Sequence, residues 1–362
     1  MKGIDSLDTD VLTEYLKSRI DDFPATISAT KFEGGQSNPT FMLADSASAS
    51  DNIADPARKF VLRKQPPGKL LKSAHAVDRE FKVMSALATS DVPVPRMYCL
   101  CEDREIIGEM FFVMEYLEGS TYWDASLPDL DPASRRVVYE EMAQALASIA
   151  TLDYTAAGLA DFGRPGNYFE RQLSRWSQQY RLSEFTTIDS MEWIMAWLKE
   201  NMPADDGRTS LVHGDFRLDN LKYSSTDKNG VGTAAPKLIG VLDWELSTLG
   251  HPMADLANLC MQSRIPPGMA NMSGLAGKDV KELGIPDEQE ILAQYSSTTG
   301  IPISHWPFYL SFGLFRIAAI LQGVARRASD GNASNPMGAK LGEFVEPLAD
   351  IAVQVVKSEN ND

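Results

Sequence analysis

The period at which apolar residues recur changes once along the chain, close to Gly119, and that change limits the folds open to it. Before it lie the short runs TISATKFE, NPTFMLAD, KFVLRK, RMYCLCE and FFVMEYL, which carry the alternation and residue types of strands. Two helical patterns accompany them, from about Leu7 to Ile20 with Val11, Leu12, Tyr15 and Leu16 as its apolar face, and from about Ala74 to Thr89. The small polar stretch SASASDNIADPA between the second and third strands reads as a hairpin loop. After Gly119 the spacing is helical: Val138, Met142, Ala145 and Ile149, then Phe169, Leu173, Trp176 and Tyr180, and finally HWPFYLSFGLFRIAAILQGVARR. Only SLVHGDF and KLIGVLD interrupt it as strand candidates. This pattern predicts an α+β, bilobal chain with a small β-rich lobe over 1–116 and a larger helical lobe over 117–362.

Composition narrows the function classes. With 362 residues, 44% of them apolar, the chain has material for two cores and does not read as disordered. A net charge of −16 argues against nucleic acid or an anionic membrane surface as the main partner. It leaves room for a phosphate ligand wherever a divalent cation supplies local positive charge. Cys99, Cys101 and Cys260 lack metal-knuckle spacing and read as small buried residues of a reducing compartment. His75, His213, His251 and His305 are equally scattered. The N-terminus MKGIDSLDTD has no apolar signal region and no run approaches a membrane span, so a soluble, cytoplasmic protein is expected.

The strongest chemical signal is His213-Gly214-Asp215-Phe216-Arg217-Leu218-Asp219-Asn220. An Asp followed five residues later by an Asn, just after a strand, is the spacing of a catalytic loop for phosphoryl transfer. One carboxylate orients an acceptor hydroxyl and takes its proton, while an amide oxygen reaches a metal on the phosphates. A second signal comes 23 residues after Asn220, where the apolar run Ile239-Gly240-Val241-Leu242 ends in Asp243-Trp244-Glu245. Asp243 and Asn220 offer the hard oxygen donors that Mg²⁺ takes alongside phosphate. Arg217, two residues past Asp215, is a candidate to stabilise transferring charge; a salt bridge to Asp219 or Asp243 is the competing use. Asp255 reads as a helix cap or a brace for the loop.

HGDFRLDN and LDWE resemble the two hallmark motifs of the aminoglycoside phosphotransferase and choline kinase superfamily, in which Gly replaces the Arg of the protein-kinase HRD. The longer strings VLRKQPPGKLLKSAHAVDRE, HGDFRLDN and LDWELSTLGHPMADLA are similar to the phosphotransferase domain fused to, or encoded beside, certain acyl-CoA dehydrogenases. The resemblance runs from about Thr26 to the C-terminal helices. It implies a protein-kinase-like fold, ATP and Mg²⁺ as cofactors, a small-molecule hydroxyl as acceptor and an acyl-CoA dehydrogenase as functional partner. Within it, Asp215 is the base, Asn220 and Asp243 bind the metal, and His213 props the loop. The alternatives are an aminoglycoside, choline or homoserine kinase and a silent nucleotide-binding regulator. The intact set of Asp215, Asn220 and Asp243 speaks against the last.

On the nucleotide side, Gly34, Gly35, Gln36, Ser37 and Asn38 lie between two strands, where adjacent glycines let backbone amides approach phosphate. The phosphate-pairing cation is Arg63 or its neighbour Lys64, which alternation sends to opposite faces. Laying FVLR over the protein-kinase V-A-I-K pattern selects Arg63, with Val61 as adenine roof. Glu80, about 60° from Val77 and at the edge of a stripe of Val77, Phe81, Met84 and Ala88, is the expected brace for that cation. The resemblance makes Met114-Glu115-Tyr116-Leu117 the hinge, with Glu115 and Leu117 offering backbone groups to adenine.

On the acceptor side, the helical insert at about 163–202 is expected to wall a pocket, with Trp244 and Glu245 contributing. Arg171 and Arg175, four apart opposite Phe169, Leu173, Trp176 and Tyr180, suit an anionic acceptor such as a hydroxy acid or hydroxyacyl-CoA. A plain solvated basic face is the competing reading.

Overall fold

The computed structural model describes residues 7–32, 38–46, 58–67, 76–224, 235–330 and 336–359. The chain divides into two compact units, residues 1–119 with 239–246, and residues 120–238 with 247–362. A short return segment containing Asp243 thus belongs with the first unit although it follows much of the second in sequence.

The first unit is built on one antiparallel sheet. Helix α1 (Thr9–Lys17) leads into β1 (Ile27–Lys31), β2 (Thr40–Asp45) and β3 (Lys59–Lys64); α2 (Val77–Leu87), β4 (Met97–Cys101), a one-turn α3 (Arg104–Ile107) and β5 (Phe111–Glu115) follow. The strand order is β1-β2-β3-β5-β4. Period-two alternation gives the sheet two apolar faces. Phe41, Leu43, Phe60, Leu62, Phe111 and Val113 join Leu12 and Leu16 of α1 in a single core. Fully burying each such side chain stabilises by about 1.5–3 kcal/mol. In α1 the buried face is Leu12, Thr13 and Leu16, whereas Val11 is exposed. Thr13 fits there because its Oγ1 donates to the Thr9 carbonyl at 2.6 Å.

The opposite face of β3 presents Val61 and Arg63 toward α2, where Phe81 meets Phe112 of β5 with ring centroids 6.3 Å apart. The inward stripe of α2 consists of Val77, Glu80, Val83, Met84 and Leu87. The expected stripe through Phe81 and Ala88 is therefore rotated, and Glu80 stands at the centre of the buried face instead of its edge. Ala88 is exposed.

The second unit is mainly helical: α4 (Pro132–Thr151), α5 (Tyr168–Ser183), α6 (Asp189–Glu200), then β6 (Ser210–Val212), β7 (Leu221–Tyr223), β9 (Thr248–Gly250), α7 (Met253–Cys260), α8 (Val280–Leu283), α9 (Glu288–Thr299), α10 (Trp306–Ser329) and α11 (Val345–Glu359); β8 (Leu238–Val241) lies mostly in the return segment of the first unit. Asp131 caps α4 by accepting from Ala133 and Ser134 N–H, and Pro132 fills the first position, where no donor is needed. By length and composition α10 could cross a membrane, but 72% of its most apolar window is buried inside the protein. It is the core helix of this unit, packed on α5, α7 and α11. Strand β6 pairs antiparallel with β9, Val212 opposite Thr248, and so fixes the point from which the next loop departs.

Candidate active site

The first unit gathers one guanidinium and three carboxylates. Arg63, on β3, places Nη2 2.6 Å from Asp243 Oδ1 and 3.6 Å from Glu245 Oε2, and its Nε 3.0 Å from Glu80 Oε2. The Nε approach is an ion pair by distance without hydrogen-bond alignment. Glu80, 1% exposed, also receives the backbone N–H of Trp244. Burial drives its carboxyl from the usual 4.5 up to about 8; Arg63 opposes that rise, and Asp243 and Glu245 add to it. Desolvation pulls the Arg63 guanidinium down, but the three facing carboxylates outweigh it and its affinity for the proton rises. Asp243 holds a left-handed backbone, φ +63°, unusual for any residue but glycine. Asn38 Nδ2 lies 3.4 Å from Glu245 Oε2. Lys64, on the other face of β3, is buried.

Glu80 holds its proton up to about pH 8, and the acid of this cluster most open to solvent is Asp243, at 33% side-chain exposure against 1% for Glu80 and 21% for Glu245. A solvent-facing carboxylate is a donor that magnesium takes alongside phosphate oxygens. The residues present therefore fit that metal, with Asp243 as its carboxylate.

The remaining residues expected on this side fall differently. Gly34, Gly35, Gln36 and Ser37 lie outside the described residues. Glu115 ends β5; its Oε2 accepts the Arg96 N–H at 3.1 Å, and Leu117 follows it partly buried. Trp244 was expected on the acceptor side but is fully buried, its indole N–H donating to the Val241 carbonyl at 2.9 Å. It packs the unit and offers no surface to a ligand. Glu245 faces Arg63.

In the second unit, β6 delivers His213-Gly214-Asp215 into a loop braced from several directions. Asp255, in the first turn of α7 and 3% exposed, accepts the backbone N–H of His213 at 2.6 Å and of Gly214 at 2.9 Å. Burial raises its carboxyl, against the pull of His213 and these two donors. Gly214 adopts φ +85°, which a side chain would strain. His213, wholly buried, accepts the Asp215 N–H on Nδ1 at 3.2 Å. Arg316 of α10 donates to the Gly214 carbonyl at 2.6 Å, and its guanidinium lies 5.8 Å from the Trp176 ring centroid. Arg316 was not among the residues expected from sequence; a lone cation inside FGLFRIAAIL is the signal that marks it.

Asn220, closing a single 3₁₀ turn from Leu218, donates Nδ2 to the Asp215 carbonyl at 2.9 Å and to Asp215 Oδ2 at 3.2 Å. Its amide oxygen is thereby turned away from Asp215. Arg217 forms a two-point pair with Asp219, at 2.7 and 2.5 Å. Asp215, Arg217 and Asp219 line a cavity of about 110 Å³ whose wall is otherwise largely apolar, with Met261, Ile265, Met272 and Ile317.

The insert helices do not supply that wall. Arg171 donates to the Gly166 and Arg164 carbonyls and so closes the turn before α5. Arg175 is exposed, 5.2 Å from the Trp176 ring centroid. Neither lines the cavity beside Asp215.

A profile of the phosphotransferase enzyme family matches residues 28–279. The chain is 42% identical over 345 residues to acyl-CoA dehydrogenase family member 10 of Mus musculus, covering 95% of this chain and 30% of that protein. It spans 30% of the length of this relative and 43% of acyl-CoA dehydrogenase family member 11 of Homo sapiens, to which it is 35% identical over 356 residues, or 97% of this chain. A solved structure from Ralstonia eutropha, provisionally described as an aminoglycoside phosphotransferase, superposes with a TM-score of 0.84 at 42% identity, covering 98% of this chain and 99% of that one. An aminoglycoside phosphotransferase crystallised with ADP and hygromycin B shares the fold, at a TM-score of 0.58 and 15% identity, over 95% and 98% of the two chains. The fold is that of the kinase-like phosphotransferases, and the chain belongs to the phosphotransferase enzyme family.

Proposed function

We propose that this protein transfers the γ-phosphate of ATP to a hydroxyl of a small molecule carrying a hydrocarbon segment, a hydroxy acid or hydroxyacyl-CoA. The observation that carries this reading is the Asp215 carboxylate standing in the wall of a mainly apolar cavity, on a loop held rigid by Asp255 and Arg316. In it, Asp215 orients the acceptor hydroxyl and takes its proton as the oxygen attacks phosphorus. Arg63, braced by Glu80, grips the phosphates, and rate enhancement comes from positioning and fixed charge. Asp243 and the Asn220 amide oxygen would hold magnesium, whose chemistry is to neutralise charge on the phosphates. The nucleotide assignment is supported by the ADP present in the hygromycin-bound relative of the same fold.

The acceptor class is supported by the cavity wall and by the relatives named for acyl-CoA dehydrogenases, which suggest such an enzyme as functional partner. An aminoglycoside site needs clustered acids, whereas in this wall Asp219 is already paired with Arg217. The test is an ATP-consumption screen with magnesium across hydroxy acids, hydroxyacyl-CoA esters, aminoglycosides, choline and homoserine. Turnover is expected with the first two groups. Turnover confined to polycations would contradict the acceptor class.

A further inference from the structure

We propose that Asn258 is a specificity-determining residue, whose carboxamide N–H donates to the acyl carbonyl oxygen of the acceptor while Asp215 takes the hydroxyl. The inference rests on the phosphotransferase reading above and deepens it.

Asn258 lies on α7, three residues after Asp255. Residues three apart share a helix face, so the helix that holds the His213 and Gly214 N–H groups also presents Asn258 beside the loop carrying Asp215. Its side chain lines the same cavity as Asp215. Every residue of α7 is buried, and Asn258 is 6% exposed. Among the described residues none hydrogen-bonds its carboxamide. The amide is not sealed off as the Gln262 oxygen is; its polar atoms keep some surface, and the cavity is where that surface opens.

The other polar groups of this wall are committed elsewhere. Arg217 and Asp219 hold each other. Ser273 Oγ accepts the Ala125 N–H at 2.5 Å and donates to Asp124 Oδ1 at 3.4 Å. Trp123 stands 73% exposed, so its indole N–H has solvent as a partner. The cavity thus offers a hydrocarbon surface, the Asp215 carboxylate and one uncommitted carboxamide.

An unpaired carboxamide in an apolar wall costs the fold, and Asn is a poor helix former; leucine would suit the packing of α7 better. A ligand that fills the cavity displaces water from the amide and must replace its hydrogen bonds. One that presents a carbonyl oxygen does so. One with a methylene in that place leaves the N–H groups unpaired inside the complex, and that difference is how a polar group in an apolar pocket discriminates between analogues. The carbonyl is the chemistry that hydroxyacyl thioesters and free hydroxy acids share.

The test is Asn258→Leu, which keeps the side chain's size and removes its hydrogen-bonding groups. Three kinds of probe are compared by calorimetry without nucleotide: hydroxyacyl-CoA thioesters with the hydroxyl at successive chain positions, their thioether counterparts with a methylene for the carbonyl, and free hydroxy acids. Acceptor and ATP KM values are measured in turnover. Wild-type protein should bind the best thioester roughly 10- to 100-fold more tightly than its thioether, the loss expected when a buried hydrogen bond goes unmade. Asn258→Leu should bind the two alike, at the thioether's level, with the ATP KM unmoved and Tm level or higher. Asn258→Ala gives the same comparison should that variant not fold. A variant that still prefers the thioester overturns the proposal, as does a lower Tm with unchanged affinities. Free hydroxy acids bound in an Asn258-dependent way, with thioesters not bound, keep the carbonyl contact and identify the free acid as its source. Carbonyl-dependent binding through Asn258 without phosphate transfer by the wild-type protein keeps the recognition role and overturns the kinase reading. Wild-type protein that binds none of the probes overturns the acceptor class and the proposal together.

Discussion

Arg63 Nη2 donates to Asp243 Oδ1 at 2.6 Å, tying β3 to a residue 180 positions later that is held at φ +63°. The pairing ties Asp243 into the first unit and gives its carboxylate a fixed direction. Asp243→Ala should weaken Mg·ATP binding by about tenfold or more, since even partners one step removed from a metal cost that much. Arg63 keeps Glu80 as a partner in this variant, so the fold should survive. Calorimetric titration that finds unchanged Mg·ATP affinity would remove Asp243 from the metal site.

Glu80 sets a pH dependence of stability. Its carboxyl titrates near 8 in the folded protein against an ordinary value of 4.5. The folded state therefore holds the proton more tightly than the unfolded one. The resulting stabilisation is complete below the unfolded value and is lost as pH rises through the folded one. Glu80→Gln abolishes the titration, so between about pH 5 and pH 8 the balance should shift toward the variant by no more than about 1.4 kcal/mol per pH unit. Urea denaturation of both proteins at stepped pH reads this directly; parallel curves would mean that Glu80 stays ionised in the fold.

How far these features were legible depended on whether a local rule decided them. Strand alternation alone separates Arg63 from Lys64, because Phe60 and Leu62 must enter the core with α1. The orientation of α2 was harder. A carboxylate takes a central core position only when partners satisfy it, and those partners, Arg63 and the Trp244 N–H, are distant in sequence. Trp244 looked available for a ligand because an aromatic directly after Asp243 has no local signal of burial. The basic pair Arg171 and Arg175 had the spacing of a binding face, yet Arg171 closes its own turn through backbone carbonyls. The cavity beside Asp215 was illegible, since its walls come from the loop after β6, the end of α7 and the middle of α10, brought together only by packing.

Asp255 accepts the His213 and Gly214 N–H groups and so holds the loop that carries Asp215, which makes it the expected positioning residue if Asp215 is the base. Asp255→Asn puts an amide where two backbone N–H groups converge and leaves at least one donor unpaired, at a cost of about 1–3 kcal/mol. Turnover should fall more than either KM changes, because the loop moves while the binding surfaces remain. A variant with wild-type kcat and a lower Tm would show that Asp255 serves stability alone.

The central claim is that Asp215 is the base. Steady-state transfer and Mg·ATP binding should be measured on Asp215→Asn, which keeps the side chain's size and loses its basicity. Transfer should fall by roughly 100-fold or more, the share that a positioned base contributes, while Mg·ATP affinity stays within a few fold. Near-wild-type transfer by this variant would contradict the assignment.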